Sequence, residues 1–233
     1  MQVRQKKILR FSIKDNNDVV ILLNDDIKIN DMSLINKLLS PFTNNQNIGL
    51  VSGNVRPIPG NTFIEKAIES SFHAYDKVKY DLKGGNNEYT CDGKILALSK
   101  DFINTIEFTS DKRMGNVDAY LYFSCLKYKY MYKHIKDAVV YYKNPDSLRD
   151  YLKWFSRNNS NRFLLENEFG NLVDQEYKLP KILILYKIHQ FLKNPLGSLF
   201  IVITGLYIRV LTKKSSENFD PLWESLNSTK YLK

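Results

Sequence analysis

Cysteine is scarce in this chain of 233 residues, where Cys91 and Cys125 are the two present. Two cysteines are too few for a disulfide framework or for a zinc site of the usual ligand spacing. The apolar run that follows the basic start, MQVRQKKILRF, is too short for a signal peptide. These shortages favour a protein of a reducing compartment.

Dense basic tracts and internal repeats are also lacking. The net charge of +9 predicts attraction to an anionic partner, such as nucleic acid, a phosphorylated small molecule or a membrane surface. Because the lysines are spread along the chain, nucleic acid is the least favoured of these partners. We therefore expect no nucleic-acid binding.

Apolar strand-like runs alternate with amphipathic segments along the first three quarters of the chain. This alternation is typical of an α/β fold with a mainly parallel sheet flanked by helices. Asp31 is predicted to cap a helix from Met32 to about Leu39, closed by Ser40-Pro41. Strands are predicted at 19–23, 48–55, 91–99 and 138–142, and longer helices at 62–80, 117–128 and 147–168.

The stretch DVVILLNDDIKIND, residues 18–31, runs from a buried strand directly into Asn24, Asp25 and Asp26. Open α/β sheets bind their ligands at the carboxyl ends of strands, which favours a ligand-binding role for these side chains. Asn and Asp are also strong turn formers, so a plain turn explains the same residues. From this stretch alone, both interpretations stay open.

From residue 178 the chain becomes apolar, with two stretches separated by Asn194 and Pro195. The second stretch, 196–211, is a little short of the ~20 residues needed to span a bilayer. It is compatible with membrane contact, spanning or interfacial, and equally with a buried pair of helices. Residues 213–233 form a polar tail.

Four pieces occur in a particular order: Asn24-Asp25-Asp26, Gly93 within CDGKILALS, Asp118 within GNVDAYL, and the segment LRDYLKWFSRNNSNR. This order resembles the second half of an inverting family 2 glycosyltransferase with the GT-A fold. The resemblance covers about residues 6–165. It implies a truncated GT-A-like, partial Rossmann-like domain over 1–177. The apolar stretches after this domain predict a helical segment at 178–212, for which membrane association and a buried helix pair both stay open.

The resemblance implies a role for each acidic position. Asp26 is expected to bind Mg²⁺ or Mn²⁺ directly, with Asn24 assisting and Asp25 contacting the ribose or acting through water. Hard cations of this kind prefer oxygen ligands and often use one or two protein carboxylates beside phosphate oxygens. Asp118 is expected to be the base that takes the proton of the acceptor hydroxyl. Its alternative is a helix-start carboxylate that interacts with the helix dipole.

The resemblance also implies substrate contacts. Gly93 is expected to let the backbone approach the acceptor, although a plain turn glycine explains it equally. Arg157 and Arg162 are candidates for binding the leaving diphosphate, because arginine presents paired donors to phosphate. A solvated helix face is the alternative for both arginines, and we expect only one of them to bind phosphate.

The chain departs from the family pattern at several positions. Asn24 replaces the first Asp of the metal motif, and Val117 replaces the Glu that usually precedes Asp118. Tyr142 falls where many relatives have a metal-binding His. The unit that holds the base and ribose of the nucleotide, expected before residue 6, is not found.

The sequence therefore predicts a glycosyltransferase segment that transfers a sugar, with inversion, from a nucleotide-sugar donor to a lipid-linked or glycan acceptor of the cell envelope. The expected location is cytoplasmic, at the inner face of the cell membrane. The alternative is a truncated, non-catalytic relative that acts as a partner subunit or glycan-binding module. A homodimer or a separate subunit supplying an N-terminal half is expected because missing strands would leave an exposed sheet edge.

Overall fold

The computed structural model describes residues 19–106, 116–215 and 229. Predictions for the first 18 residues and for most of the polar tail therefore lie outside the described residues. The strands are β1 (Val19–Leu23), β2 (Ile27–Lys28), β3 (Ile48–Pro57), β4 (Ile95–Ser99) and β5 (Met131–Tyr142). The helices are α1 (Leu34–Asn44), α2 (Phe63–Lys79), α3 (Lys100–Thr105), α4 (Val117–Lys127), α5 (Leu148–Phe169), α6 (Asn171–Glu176), α7 (Ile182–Lys193) and α8 (Pro195–Ser215).

The architecture is mixed α/β, with a five-stranded sheet in the order β1-β4-β3-β5-β2. The prediction of a mainly parallel sheet is wrong. Among the described strands only β3 and β5 pair in parallel, while β1–β4, β3–β4 and β2–β5 are antiparallel. Strand β4 starts beside the end of β1, with Ile95 opposite Leu23, and a strand that starts where its neighbour ends must run antiparallel to it.

The apolar character of β4 and of the first part of β3 follows from burial of both faces of the sheet. Leu50 and Leu96 lie in one hydrophobic cluster, together with Phe123 of α4. Their sequence neighbours Val51 and Ile95 lie in the cluster on the opposite face, with Leu38 of α1. Successive strand residues point to opposite faces of the sheet. A strand with a hydrophobic cluster on each face therefore has apolar residues in succession instead of alternating apolar and polar residues.

The first helix differs from its predicted boundaries. Asp31 does not cap it; its Oδ1 accepts hydrogen bonds from the backbone N and Oγ of Ser33, in a turn that precedes Leu34. The helix also continues through buried Pro41 to Asn44. Proline leaves the carbonyl four residues earlier without its usual donor. Ser40 Oγ donates to this carbonyl, that of Lys37, at 3.2 Å.

Other helix starts agree with the sequence. Thr62 and Glu65 form a capping box at the start of α2, and Ser99 and Ser147 cap α3 and α5 by accepting from backbone amides. Each cap satisfies an amide that the first turn of a helix leaves without an intrahelical partner. Local side-chain chemistry thus determines these helix starts.

The C-terminal apolar stretches form α7 and α8, which pack on α2 and α5. Their junction is at Asn194 and Pro195, as predicted, and Asn194 Oδ1 accepts from the Gly197 amide at 3.0 Å. Leu183 of α7 and Ile208 of α8 are buried, whereas their opposite faces are exposed. Within the described residues, the helices lack the combination of length and apolar character that crossing a bilayer requires.

Candidate functional site

A turn formed by Asp92, Gly93 and Lys94 is hydrogen bonded both to the residue that follows β1 and to the first turn of α4. The backbone amide of Asn24 donates to the carbonyl oxygen of Lys94 at 3.1 Å. The amide of Gly93, the preceding residue, donates to Asp118 Oδ2 at 2.9 Å. The polar end of the first strand and the carboxylate at 118, remote in sequence, therefore contact adjacent residues of one turn.

Asp118 lies in the first turn of α4 with both carboxylate oxygens hydrogen bonded. Oδ1 accepts from the backbone amide of Ala119 at 2.9 Å, and Oδ2 accepts from Gly93. Burial raises the pKa of Asp118, and the negative charge of Asp92 raises that pKa further; the two amide hydrogen bonds act in the opposite direction. A carboxylate with raised proton affinity at an oriented position has the properties of a general base.

Gly93 permits this approach of backbone to carboxylate. A Cβ atom added at Gly93 would lie 3.2 Å from Asp118 Oδ2 and 3.4 Å from its Cβ and Cγ. A side chain at position 93 would therefore press on the carboxylate that its own amide holds. Glycine is therefore favoured at position 93 by its close packing against Asp118 as well as by its place in a turn.

The Asn24–Asp26 segment presents its carboxylates differently. Asp25 is exposed, and Asn24 and Asp26 are half-buried. Asp26 Oδ1 is a buried atom with no hydrogen-bond partner among the described residues. A buried carboxylate oxygen without a donor is costly unless another group compensates it, and a divalent cation fits that requirement.

The remaining ligands for such a cation are few. The described part of the chain contains no group of three or more His, Cys, Asp or Glu side chains that could hold a metal. Mg²⁺ and Mn²⁺ accept one or two carboxylates when phosphate oxygens and water complete the shell. The oxygen donors here fit a cation that binds together with a phosphorylated ligand.

Asn144, which the sequence analysis missed, lies near this segment. Ile27 pairs with Tyr142 in the antiparallel β2–β5 ladder, so Asp26 and Asn144 extend from the same end of it. Asn144 is buried, and within the described structure neither Nδ2 nor Oδ1 has a hydrogen-bond partner. A strand followed by Asn-Pro was the available signal, and the same signal is typical of an ordinary turn.

Lys94 supplies a positive charge beside the turn. Its Nζ lies 3.4 Å from Asp92 Oδ1 and 4.4 Å from the centroid of the Tyr142 ring. Tyr142, at the position where relatives were expected to have a metal-binding His, therefore contacts a cationic side chain. Lys94 was another residue that the sequence did not single out, because it belongs to no dense basic tract.

Two further carboxylates, those of Glu88 and Glu176, accept hydrogen bonds from tyrosine hydroxyl groups. Glu88 Oε1 accepts from the Tyr177 hydroxyl at 2.9 Å, and Glu176 Oε2 accepts from the Tyr122 hydroxyl at 2.7 Å. Burial, with the negative charges of Asp118 and Glu176, raises the pKa of Glu88 to about 8, although the hydrogen bond from Tyr177 acts in the opposite direction. Lys83 pairs with Glu176. These side chains come from separate loops and helices, so no spacing in the sequence indicated them.

The two predicted phosphate-binding arginines have different outcomes. Arg157 lies in α5, and its side chain is outside the described residues. Arg162 is exposed, with Nε 2.7 Å from Glu166 Oε1 and Nη2 2.8 Å from Asp174 Oδ1. Within the described contacts, Arg162 is not connected to the Asp92–Lys94 turn, and its guanidinium is occupied by carboxylates.

No family model and no curated protein matches the sequence. Among solved structures, the fold is similar to the mannosyltransferase PcManGT from Pyrobaculum calidifontis, in a complex with GDP-Man and Mn²⁺. The TM-score is 0.48 at 12% identity, over 91% of this chain and 54% of that chain. The present chain thus spans about half the length of that protein.

Proposed function

We propose that this chain is the catalytic segment of an inverting glycosyltransferase that uses a nucleotide-sugar donor and a divalent cation. The observation that supports this most directly is the shared Asp92–Lys94 turn, which contacts both Asn24 and Asp118. A cation-binding segment and a candidate base are needed within one cleft, because donor and acceptor react there with each other.

Asp26 and Asn24 are the proposed cation ligands, with Asn144 beside them as a further oxygen donor. The cation, when bound, would offset the charge that develops on the leaving diphosphate. Asp25, exposed next to them, is the proposed contact for the ribose. Arg157 is the better of the two proposed diphosphate contacts, because Arg162 is paired with two carboxylates.

Asp118 is the proposed base. Direct attack by an acceptor hydroxyl, which inverts the configuration at the sugar carbon, requires removal of its proton as the new bond forms. Asp118 accepts that proton while Gly93 and Ala119 hold the carboxylate in position. The proposed acceptor is a lipid-linked or glycan hydroxyl of the cell envelope.

The test measures Mn²⁺ binding calorimetrically, with and without a nucleoside diphosphate, in the wild type and in Asp26→Asn. We expect the substitution to weaken Mn²⁺ binding at least about tenfold, because it removes one of few charged ligands. Asp101→Asn, at an exposed position of α3, is the matched control and should bind Mn²⁺ like the wild type. Hydrolysis of a panel of nucleotide sugars by the same proteins then tests donor use.

A wild-type protein that binds no Mn²⁺, even with nucleoside diphosphate, and hydrolyses no donor would contradict the proposal. It would favour a second candidate, a non-catalytic relative that acts as a partner subunit or glycan-binding module. The occupied guanidinium of Arg162 and the amide at position 24 favour that candidate. Glycan binding without donor turnover would support it.

A further inference from the structure

The helix α8 has one face packed against the domain along much of its length. Thr204 Oγ1 lies 3.3 Å from the Tyr151 hydroxyl of α5, and the Phe200 ring lies 5.5 Å from the rings of both Phe63 and Tyr151. Ile208 is buried on the same side. The helix therefore lies along the surface of the domain.

The opposite face of α8 is apolar and exposed. Its residues recur at intervals of three and four, the spacing of one side of a helix. Leu196 is 71% and Val210 is 65% exposed at its two ends. The residues along the middle of this face are Leu196, Leu199, Ile203, Leu206 and Val210, and the exposed residues Val202 and Tyr207 lie at its edges.

The neighbouring helix α7 has the same arrangement. Leu183 packs with Ala74 and Val78 of α2, while Leu185, Ile188 and Leu192 are exposed on the other side. Both helices rest on α2, so their exposed sides face away from the domain together. We call these three residues and the five of α8 the apolar face.

Charge distinguishes the possible occupants of the apolar face. Residues 178–215 contain no Asp or Glu, and their charged side chains are all Lys or Arg. An apolar helix face flanked by lysine and arginine is typical of a helix that lies in the interface of an anionic bilayer. Lysine stems can lie along the apolar surface while their ammonium groups reach the headgroups.

We propose that the apolar face of α7 and α8 docks on the surface of an anionic lipid bilayer, with both helices parallel to its plane. Docking of this kind does not require the proposed transferase activity, and it buries side chains that otherwise form an extended apolar surface in water. It would also hold the domain where a lipid-linked molecule could reach it.

The test measures co-sedimentation of the full chain with two kinds of vesicle. One kind is phosphatidylcholine alone, and the other is equal parts phosphatidylcholine and phosphatidylglycerol. We expect at least about tenfold tighter binding to the anionic vesicles. Similar affinity for both vesicles, or binding to neither, would overturn the proposal.

Two variants locate the binding surface. Leu185→Gln/Leu192→Gln/Leu196→Gln should weaken binding to anionic vesicles at least about tenfold. The matched control Met32→Gln/Met131→Gln/Leu148→Gln changes exposed apolar residues elsewhere and should bind like the wild type. Equal losses in both variants would overturn the assignment to this face.

A charge variant remains informative if the apolar triple variant does not fold. Lys181→Gln/Lys193→Gln changes two exposed lysines at the ends of α7 and should weaken binding to anionic vesicles only. Unchanged binding would overturn the proposal. Sedimentation velocity gives another outcome that would overturn the proposal: a wild-type dimer that becomes monomeric in the apolar triple variant, with no binding of the wild type to vesicles. The occupant of the apolar face would then be a second copy of the chain.

Discussion

The Gly93 amide and the Asp118 carboxylate are joined by a hydrogen bond of 2.9 Å. The same turn accepts a hydrogen bond from the Asn24 amide through the Lys94 carbonyl. A carboxylate at a helix start is commonly explained by the helix dipole. Here that carboxylate also lies beside the polar end of a buried strand, and its pKa is raised by burial.

Asp118→Asn should lower kcat by about 100-fold to 10,000-fold, which is the usual range for loss of a general base. Donor KM should change little, because the amide oxygen can still accept from Gly93 and preserve the turn. Steady-state kinetics over a range of donor concentrations measures both constants. A large rise in KM with unchanged kcat would instead assign Asp118 to binding.

The pH–rate profile should report the raised pKa of Asp118. A base acts in its deprotonated form, so kcat/KM should fall as pH drops through a pKa above the usual aspartate value of ~3.9. Asp92→Asn removes a negative charge that raises this pKa, so it should shift the acid limb to lower pH. An acid limb unmoved by Asp92→Asn would contradict the electrostatic coupling of the two residues.

Glu88 should make the folded protein less stable as pH rises. Its pKa is about 8 in the folded state and ~4.3 in an unfolded chain. Between these values the folded state binds more protons, so the free energy of unfolding should fall with increasing pH and level off above about pH 8. Glu88→Gln should reduce this slope.

Denaturant unfolding at several pH values between 5 and 8 measures the effect of Glu88. Asp101→Asn, at an exposed carboxylate, is the control and should retain the wild-type slope. If Glu88→Gln also retained that slope, another group would be responsible for the pH dependence.

Tyr122→Phe should lower the free energy of unfolding by about 1–3 kcal/mol, the usual cost of removing one partner from a buried hydrogen bond. The buried carboxylate of Glu176 would lose its Tyr122 donor and keep Lys83. Tyr207→Phe, at an exposed tyrosine, should change stability by no more than about 0.5 kcal/mol. Thermal or denaturant unfolding compares the two variants, and equal effects would contradict this role of Tyr122.

Local features of the sequence determined where most elements lie. Apolar runs identify β1, β4 and the first part of β3, because a strand buried on both faces requires apolar side chains on both sides. Thr62, Ser99 and Ser147 identify helix starts, since each supplies an oxygen for an unpaired amide of the first turn. Asn194 and Pro195 separate α7 from α8 for a similarly local reason. Asn24, Asp25, Asp26 and Asp118 could be singled out as polar residues at element ends.

Only the tertiary structure decided the direction of the strands and the residues that each carboxylate contacts. Strand β4 starts beside the end of β1 and runs antiparallel to it. The alternation of strands and helices in the sequence does not specify at which end of the sheet a strand begins, so it does not specify the direction of the strand. Glu88, Glu176 and Asn144 became site neighbours through contacts between distant segments. Arg162 was a candidate phosphate ligand by residue type, but in the structure it forms ion pairs with Glu166 and Asp174. Side-chain chemistry is local, but partners depend on how distant segments pack.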